Sequence, residues 1–261
     1  MNWKEIKDNQ EEKQFYYHGS PVFKKWRSKM NWRDIKDSQT EKRFYYHGEP
    51  VFKVFKSILK FHEPGIAPVE DESGWYHITV DGSELYPSRY ERTFGFYCGL
   101  AAVTSKEGCF HIDTAGKPLY SERYAWCGNF QENICPVRSK EGDYFHINSK
   151  GNRLYPQTFL YAGDFRDGIA CVKCADGMWR HIKADGEYLN GKGFLDLGVF
   201  HKNIAPARDE KGWYHSDIDG NELYPERYLN IEPFYNGFAL VTNFDWTKKI
   251  IDENGSTILC I

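Results

Sequence analysis

The stretch GWYHITVDGSELYPSRY, residues 74–90, decides the fold, because the chain repeats it almost unchanged as GWYHSDIDGNELYPERY at residues 212–228. Each copy contains two aromatic-rich runs joined by an Asp-Gly pair. Asp-Gly between such runs is typical of a tight β-hairpin turn. A hairpin sequence that occurs twice at this distance indicates tandem repeats. Repeats have to be identified first, because overlooking them would mis-assign the whole fold.

The turn glycine of this stretch recurs along the entire chain. It first occurs at Gly19 and Gly48, and its successive spacings are 29, 34, 34, 35, 35, 34 and 35 residues. Eight units of about 34 residues therefore account for the sequence. In the regular units we interpret this glycine as a structural turn position, at Gly82, Gly116, Gly151, Gly186, Gly220 and Gly255.

Two further positions keep the same period. A phenylalanine recurs in the regular units, and in most of them Gly or Asn follows three residues later, at Gly99, Asn133, Gly168, Asn203 and Gly237. Gly and Asn are the residues that a tight turn with positive φ selects. Histidine stands five residues before the turn glycine in five units, at His77, His111, His146, His181 and His215.

Each unit is predicted to form short strands. In residues 151–182 the runs 153–155, 159–165, 169–174 and 179–182 are separated by Pro, Asp-Gly and Gly-rich breaks. Four strands joined by such short turns form an antiparallel meander, because crossover helices need longer connections. One meander cannot bury both of its faces, so successive units must stack. We predict an all-β fold of eight β-meander repeats in a propeller-like ring, with an open β-solenoid as the alternative.

The sequence predicts a single repeat domain over residues 1–261. Residues 1–58 form two shortened, near-duplicate units, since residues 1–26 match residues 30–55 at 18 of 26 positions. Residues 59–261 hold the regular repeats. Terminal units that differ from the rest are typical of capping repeats.

Charge and composition exclude several classes of partner. The chain has 34 basic and 37 acidic residues and a net charge of -3, so it lacks the cationic field that binds nucleic acid. No run reaches the roughly 18 apolar residues of a membrane helix. The seven cysteines show no framework spacing, which favours a reducing compartment. With no signal peptide in the first thirty residues, we expect a cytoplasmic protein.

These columns resemble the WG-repeat family, in which a Gly-Trp or Trp-Gly pair opens an aromatic strand and a Phe-x-x-Gly-x-Ala-x-Val run follows the turn. The matching pieces are GWYHI at 74–78, FHI at 145–147, FRDGIACV at 165–172 and FYNGFALV at 234–241. The resemblance covers residues 61–255, and units with Cys109, Asp143 or Met178 near the Trp position depart from it. It implies a bacterial, functionally uncharacterised array, of a kind found upstream of methyltransferase-like domains. It implies no catalytic residues.

The histidine column is the most suggestive candidate site. Stacked imidazoles could bind a metal, but a residue at one place in every unit is typical of a structural position that bonds a neighbouring strand's carbonyl. Cys171 and Cys174 form half of a metal or redox motif, without a second Cys-x-x-Cys pair. The recurring Arg-Tyr pairs either pack on one another or line a groove for an anionic ligand, at Arg89-Tyr90, Arg123-Tyr124 and Arg227-Tyr228.

The sequence favours a binding function over catalysis. It contains no Gly-x-Ser-x-Gly, no His-Glu-x-x-His and no glycine-rich strand-to-helix loop, so we expect neither an enzyme nor a cofactor or metal. The first hypothesis is a non-catalytic scaffold that binds a protein, such as an enzyme acting in trans, because repeats add surface without altering their neighbours. The alternative is a carbohydrate-binding module, because GWYH...DG resembles the aromatic repeats of glucan-binding proteins.

Overall fold

The computed structural model describes residues 6–9, 14–17, 20–21 and 30–261. These residues form β-strands and connecting turns, with one 3-10 turn at Trp32–Asp34 that is capped by the Asn31 side chain. No described segment is an α-helix, and no helix of the described residues could cross a membrane. The all-β prediction is confirmed.

The chain divides into two compact units, Met1–Arg123 and Tyr124–Ile261. The described part of the first unit holds four three-stranded sheets. Their strands are β1 (Ile6–Asn9), β2 (Gln14–Tyr17) and β3 (Ser20–Pro21); β4 (Ile35–Ser38), β5 (Arg43–Tyr46) and β6 (Glu49–Val51); β7 (Ser57–Ile58), β8 (Ile66–Asp71) and β9 (Gly74–Thr79); and β10 (Arg92–Tyr97), β11 (Leu100–Ser105) and β12 (Gly108–Ile112).

The second unit, Tyr124–Ile261, holds four more sheets, the last of which has four strands. Their strands are β13 (Trp126–Cys127), β14 (Ile134–Arg138) and β15 (Tyr144–Asn148); β16 (Tyr161–Ala162), β17 (Ile169–Lys173) and β18 (Trp179–Lys183); β19 (Asp196–Leu197), β20 (Ala205–Asp209) and β21 (Gly212–Ser216); and β22 (Asn230–Ile231), β23 (Phe238–Thr242), β24 (Lys248–Asp252) and β25 (Thr257–Cys260). Eight sheets in the described residues are compatible with the eight predicted units.

Each sheet is an antiparallel meander, but most have three strands where the sequence predicts four. The predicted strand at 153–155 is reduced to a bridge between Arg153 and Ile147 of β15, and Phe159 makes a second bridge to Tyr144. Pro156 lies between these two bridges and has no N–H to donate, so the segment cannot pair continuously. The predicted strand at 159–165 is correspondingly short, because only Tyr161–Ala162 pairs with β17.

The two N-terminal sheets repeat each other at the level of strand pairing. Ile6 pairs with Tyr17 in the first sheet, and Ile35 pairs with Tyr46 in the second. Both partners are displaced by the same 29 residues that separate Gly19 from Gly48. The rest of the predicted first unit, at residues 1–5, 10–13, 18–19 and 22–29, lies outside the described residues.

The core is built from the inward faces of the two long strands in each sheet. In the second unit, buried Val137 on β14 pairs with buried Phe145 on β15, and Cys135 pairs with Ile147. Alternation places these side chains on one face, and the pair between them, Pro136 and His146, is buried on the other face. Burial of such rings and branched chains, at about 25 cal/mol per Å² of apolar surface, is the main stabilising force.

The turn glycines pack against the preceding repeat. All six have φ between +74° and +83°, which L side chains rarely adopt. A Cβ at Gly186 would lie 2.5 Å from the Tyr155 ring, and one at Gly255 would lie 2.8 Å from Tyr224. The second turn column differs, since a Cβ at Gly168 would meet nothing within 4 Å. Four turn glycines are therefore constrained both by the backbone angle and by a ring of the previous unit, and Gly220 meets the Asn190 and Lys192 side chains instead.

Candidate functional site

The histidine column is buried and tied into the sheets. In β15 the Nε2 of His146 donates to the Gly163 carbonyl at 2.7 Å, and the same bond joins His77 to Phe94 at 2.7 Å. His181 and His215 make it at 3.0 and 2.9 Å. A carbonyl only accepts, so Nε2 carries the proton and Nδ1 is an acceptor.

A tyrosine hydroxyl satisfies that acceptor in four repeats. The hydroxyl donates to Nδ1 in the pairs Tyr86–His77, Tyr120–His111, Tyr155–His146 and Tyr224–His215. In the remaining repeat Asn190 occupies the tyrosine position and donates instead to the Ile218 carbonyl. His77, His146 and His215 thus link their strands through Nδ1 to the segment that follows and through Nε2 to the next repeat.

Burial holds these imidazoles in the neutral form. It lowers the pKa of His77, His146, His181 and His215 to about 4. Both ring nitrogens of His146 are already engaged, so a metal would have to displace two hydrogen bonds. No group of three or more His, Cys, Asp or Glu side chains within the described residues could hold a metal ion. The geometry is that of a structural column.

The predicted arginines stack on aromatic rings of their own sheets. The guanidinium of Arg89 lies 3.8 Å from the Tyr76 ring centre, that of Arg123 lies 3.8 Å from Phe110, and that of Arg227 lies 3.9 Å from Tyr214. The ring partners lie on the third strand of each sheet, not at the tyrosine next in sequence. Arg227 also pairs with Asp209 and Glu222 at 2.9 and 2.5 Å, so its charge is already neutralised.

The two cysteines of the predicted half-motif are buried separately. The Cys171 thiol donates to the Gly198 carbonyl at 3.1 Å, and Cys174 lies 3.5 Å from the Tyr188 hydroxyl. Burial raises the pKa of Cys171 to about 12, so it is protonated near neutral pH. A protonated thiol is neither a metal ligand nor a nucleophile.

A row of four aromatic side chains crosses two adjacent sheets of the second unit. We call it the aromatic row: Trp126, Tyr144, Tyr161 and Trp179. Successive ring centres are 6.0, 5.5 and 5.4 Å apart. Trp126 and Tyr161 are 41% and 43% exposed, although rings of this size are normally mostly covered.

Strand register explains why these rings meet. Trp126 on β13 pairs with Arg138 on β14, which pairs with Tyr144 on β15, so all three lie in one line across this sheet. The next sheet, β16 to β18, has a matching line that consists of Tyr161, Lys173 and Trp179. Residues in one line across a sheet share a face, so each basic residue lies between two rings. The Lys173 ammonium lies 5.8 Å from the centre of the Trp179 ring.

In the first unit, the ring at the position equivalent to Trp179 is buried. Trp75, which occupies the place of Trp179, is only 4% exposed, and the Arg92 guanidinium covers it at 4.1 Å from the ring centre. In the second unit two sheets have Trp126 and Tyr161 at the position of Arg92, which add rings, and the other two have Asp196 and Asn230. The repeat columns therefore produce a buried ring in one unit and an exposed surface in the other.

A pocket of about 650 Å³ adjoins the end of the aromatic row. Tyr161 and Trp179 form its aromatic side, and Leu197 and Val199 contribute apolar surface. Its polar lining comes from the turn at Gln131–Glu132 and from Asp164 and Arg166. Desolvation raises the pKa of Asp164.

Sequence reasoning assigned no function to the aromatic row or to Asp164. The signal was present: Trp126 and Tyr161 stand where the other units place Ser57, Arg92, Asp196 or Asn230. Departures from a repeat, rather than the repeated columns, mark this surface. The strand register brings these residues together, because it aligns residues that lie 6 to 18 positions apart within each sheet.

Comparison with known proteins bears on the fold. No family model matches the chain, and no curated protein matches it either. A solved structure of a eukaryotic initiation factor is similar with a TM-score of 0.57 and 11% identity, covering 87% of this chain and 72% of that chain. BamB from Moraxella catarrhalis is similar with a TM-score of 0.50 and 11% identity, covering 87% of this chain and 81% of that chain.

The C-terminal WD40 domain of Sif2 also matches, with a TM-score of 0.44 and 10% identity, covering 80% of this chain and 70% of that chain. At such identities the likenesses show the fold alone. The chain has an all-β, propeller-like repeat fold, as the sequence predicts.

Proposed function

We propose that the protein is a non-catalytic repeat scaffold that binds another protein through the aromatic row. The observation that carries the proposal is the exposure of Trp126 and Tyr161 in one continuous line of rings. Clustered exposed apolar surface on a soluble protein marks an interaction site. Trp, Tyr and Arg are also the residues that dominate binding energy at protein interfaces.

The basic residues that lie between the rings of the aromatic row indicate which charge the partner should carry. Arg138 and Lys173 lie between the rings and form no ion pair with any described residue. A partner that places apolar side chains on the rings and acidic side chains opposite these two cations would complement the surface. Because such rim charges are screened by salt, binding should weaken as ionic strength rises.

The remaining candidate groups support a non-catalytic role. The histidines are neutral and engaged in hydrogen bonds, and the Cys171 thiol is protonated and buried. The scaffold is proposed to act in the cytoplasm as a member of the WG-repeat family, with an enzyme in trans as the partner. The matches at 74–78, 145–147, 165–172 and 234–241 support this part of the proposal.

The test is quantitative capture of a partner from cells that make the protein. Wild type, Trp126→Ala and Trp246→Ala are used as baits, and captured proteins are quantified by mass spectrometry. Trp246 is the matched control, because it is 77% exposed in the same unit but lies outside the row. A partner retained by wild type and Trp246→Ala and lost from Trp126→Ala supports the proposal. Equal recovery by all three baits, or no stoichiometric partner, contradicts it.

A further inference from the structure

We infer that the pocket beside the aromatic row is a binding site for a neutral saccharide. The site consists of Tyr161 and Trp179 as stacking surfaces and of Gln131, Asp164 and Arg166 as hydrogen-bonding groups. It adjoins the proposed protein interface and shares the Tyr161 and Trp179 rings with it, whereas its polar groups lie outside the aromatic row. A volume of about 650 Å³ is within the range of small-molecule sites.

The aromatic side of the pocket is an angled pair of rings. Tyr161 and Trp179 have ring centres 5.4 Å apart and planes inclined at 57°. Tyr161 is 43% exposed and Trp179 is half-buried, so both have accessible surface. The C–H faces of a pyranose are apolar, and an aromatic face can bury them without competing for the hydroxyl groups around the sugar's edge.

The polar side of the pocket has unused hydrogen-bonding capacity of both kinds. Asp164 offers acceptors, Arg166 offers donors, and Gln131 offers both. Within the described residues none of these three side chains makes a hydrogen bond or an ion pair, whereas neighbouring Glu132 is occupied by the amides of Asp167 and Gly168 at 2.6 and 2.9 Å. Sugar hydroxyls donate and accept at once, so they can satisfy a carboxylate, a guanidinium and an amide together.

The charge balance favours a neutral ligand over an ion. Three charged side chains line the pocket. Glu132 is already held by two backbone amides, whereas the oppositely charged side chains of Asp164 and Arg166 form no hydrogen bond within the described residues and can both bind ligand hydroxyls. A cation would face Arg166, and an anion would face Asp164. Desolvation raises the pKa of Asp164, so a hydroxyl donating to this carboxylate replaces part of the hydration that it lacks.

The Asp164 carboxylate occurs at its position in this repeat only. At the position of Asp164 the other regular units have Lys60, Gly95, Asn129, Val199 and Pro233. Repetition of a structural position cannot account for a carboxylate that occurs once. The pocket therefore combines two aromatic rings with polar groups from two neighbouring repeats, among which the Asp164 carboxylate occurs at its position in one repeat only.

The proposal is tested by titrating the full-length protein with neutral gluco-, manno-, galacto-, xylo- and N-acetylglucosamine oligosaccharides. Tryptophan fluorescence and calorimetry are the readouts. We expect at least one series to bind with a dissociation constant of about 1 mM or tighter. Asp164→Ala and Tyr161→Ala should each weaken binding at least about tenfold. Both side chains are exposed, so neither change should prevent folding, which thermal unfolding checks.

Two controls separate this site from the proposed protein interface. Trp126→Ala should bind the saccharide like wild type while losing the protein partner, and Asp164→Ala should do the reverse. Absence of binding by every series overturns the inference, as does binding that Asp164→Ala leaves unchanged. Binding of choline or spermidine in place of the sugars would identify a cation site and would also overturn it.

Discussion

The Arg153 guanidinium lies 4.4 Å from the centre of the Phe145 ring. Three other repeats form the same kind of contact with an arginine from a different sequence position. In those repeats the cation comes from Arg89, Arg123 or Arg227, whereas the corresponding residue here is Thr158. Arg153 also donates to the carbonyls of the connecting loop, at 2.7 Å to Pro156 and 2.9 Å to Gln157. The repeat keeps the contact while changing the residue that makes it.

This contact predicts a rescue by relocation of the arginine. Arg153→Ala should lower the free energy of unfolding by about 1 kcal/mol, because it removes a cation–π contact and its loop hydrogen bonds. Adding Thr158→Arg to that variant should restore most of the loss, since 158 is the position used by the other repeats. Chemical denaturation measures both variants, with Arg166→Ala as an exposed control. Failure of the double variant to regain stability would refute the equivalence.

The turn glycines predict unequal costs for the same substitution. Gly186→Ala forces a Cβ to 2.5 Å from the Tyr155 ring at φ +83°, whereas Gly168→Ala meets only the backbone penalty at φ +75°. Gly168→Ala should cost about 1 kcal/mol, and Gly186→Ala should cost clearly more. Differential scanning calorimetry of the two variants gives the comparison. Equal losses would show that the packed ring does not constrain the turn.

The histidine column predicts a loss of stability in mild acid. The pKa of four histidines falls from 6.5 to about 4 on folding, so the unfolded chain binds more protons between these values. Stability from this source is therefore complete above pH 6.5 and declines as pH falls toward 4. Melting temperature measured by circular dichroism should drop within this window, before most carboxylates titrate. A constant melting temperature from pH 7 to pH 4.5 would contradict the neutral, buried assignment.

The tyrosine hydroxyls predict a linked change in stability and titration. Tyr155→Phe removes the donor to His146 Nδ1 and leaves a buried acceptor unsatisfied, which should cost about 1 to 2 kcal/mol. It should also raise the pKa of His146, because the lost bond stabilises the neutral ring. NMR titration and chemical denaturation measure the two effects. Tyr188→Phe is the control, since that hydroxyl contacts only a thiol at 3.5 Å, and an equal effect there would refute the assignment.

The sequence predicts the repeated features of this molecule well and its exceptions poorly. The glycine period locates the six equivalent turns from Gly82 to Gly255, because a positive φ restricts the residue type directly. Strand number is overestimated, because Pro156 interrupts pairing within a segment that otherwise has strand composition. The aromatic row and Asp164 escape detection, because each arises where one unit departs from the common pattern and gains meaning only from its neighbours across the sheets.

Site-specific photo-crosslinking at the aromatic row tests the scaffold account most directly. A photoreactive benzoylphenylalanine replaces Tyr161 in one protein and Tyr188 in another, and both are irradiated in cells. The two tyrosines are 43% and 45% exposed in the same unit, so accessibility alone does not distinguish them. If the aromatic row binds a protein, position 161 should yield a discrete crosslinked partner that is missing at position 188. Crosslinks of equal pattern at both positions, or none at 161, would contradict it.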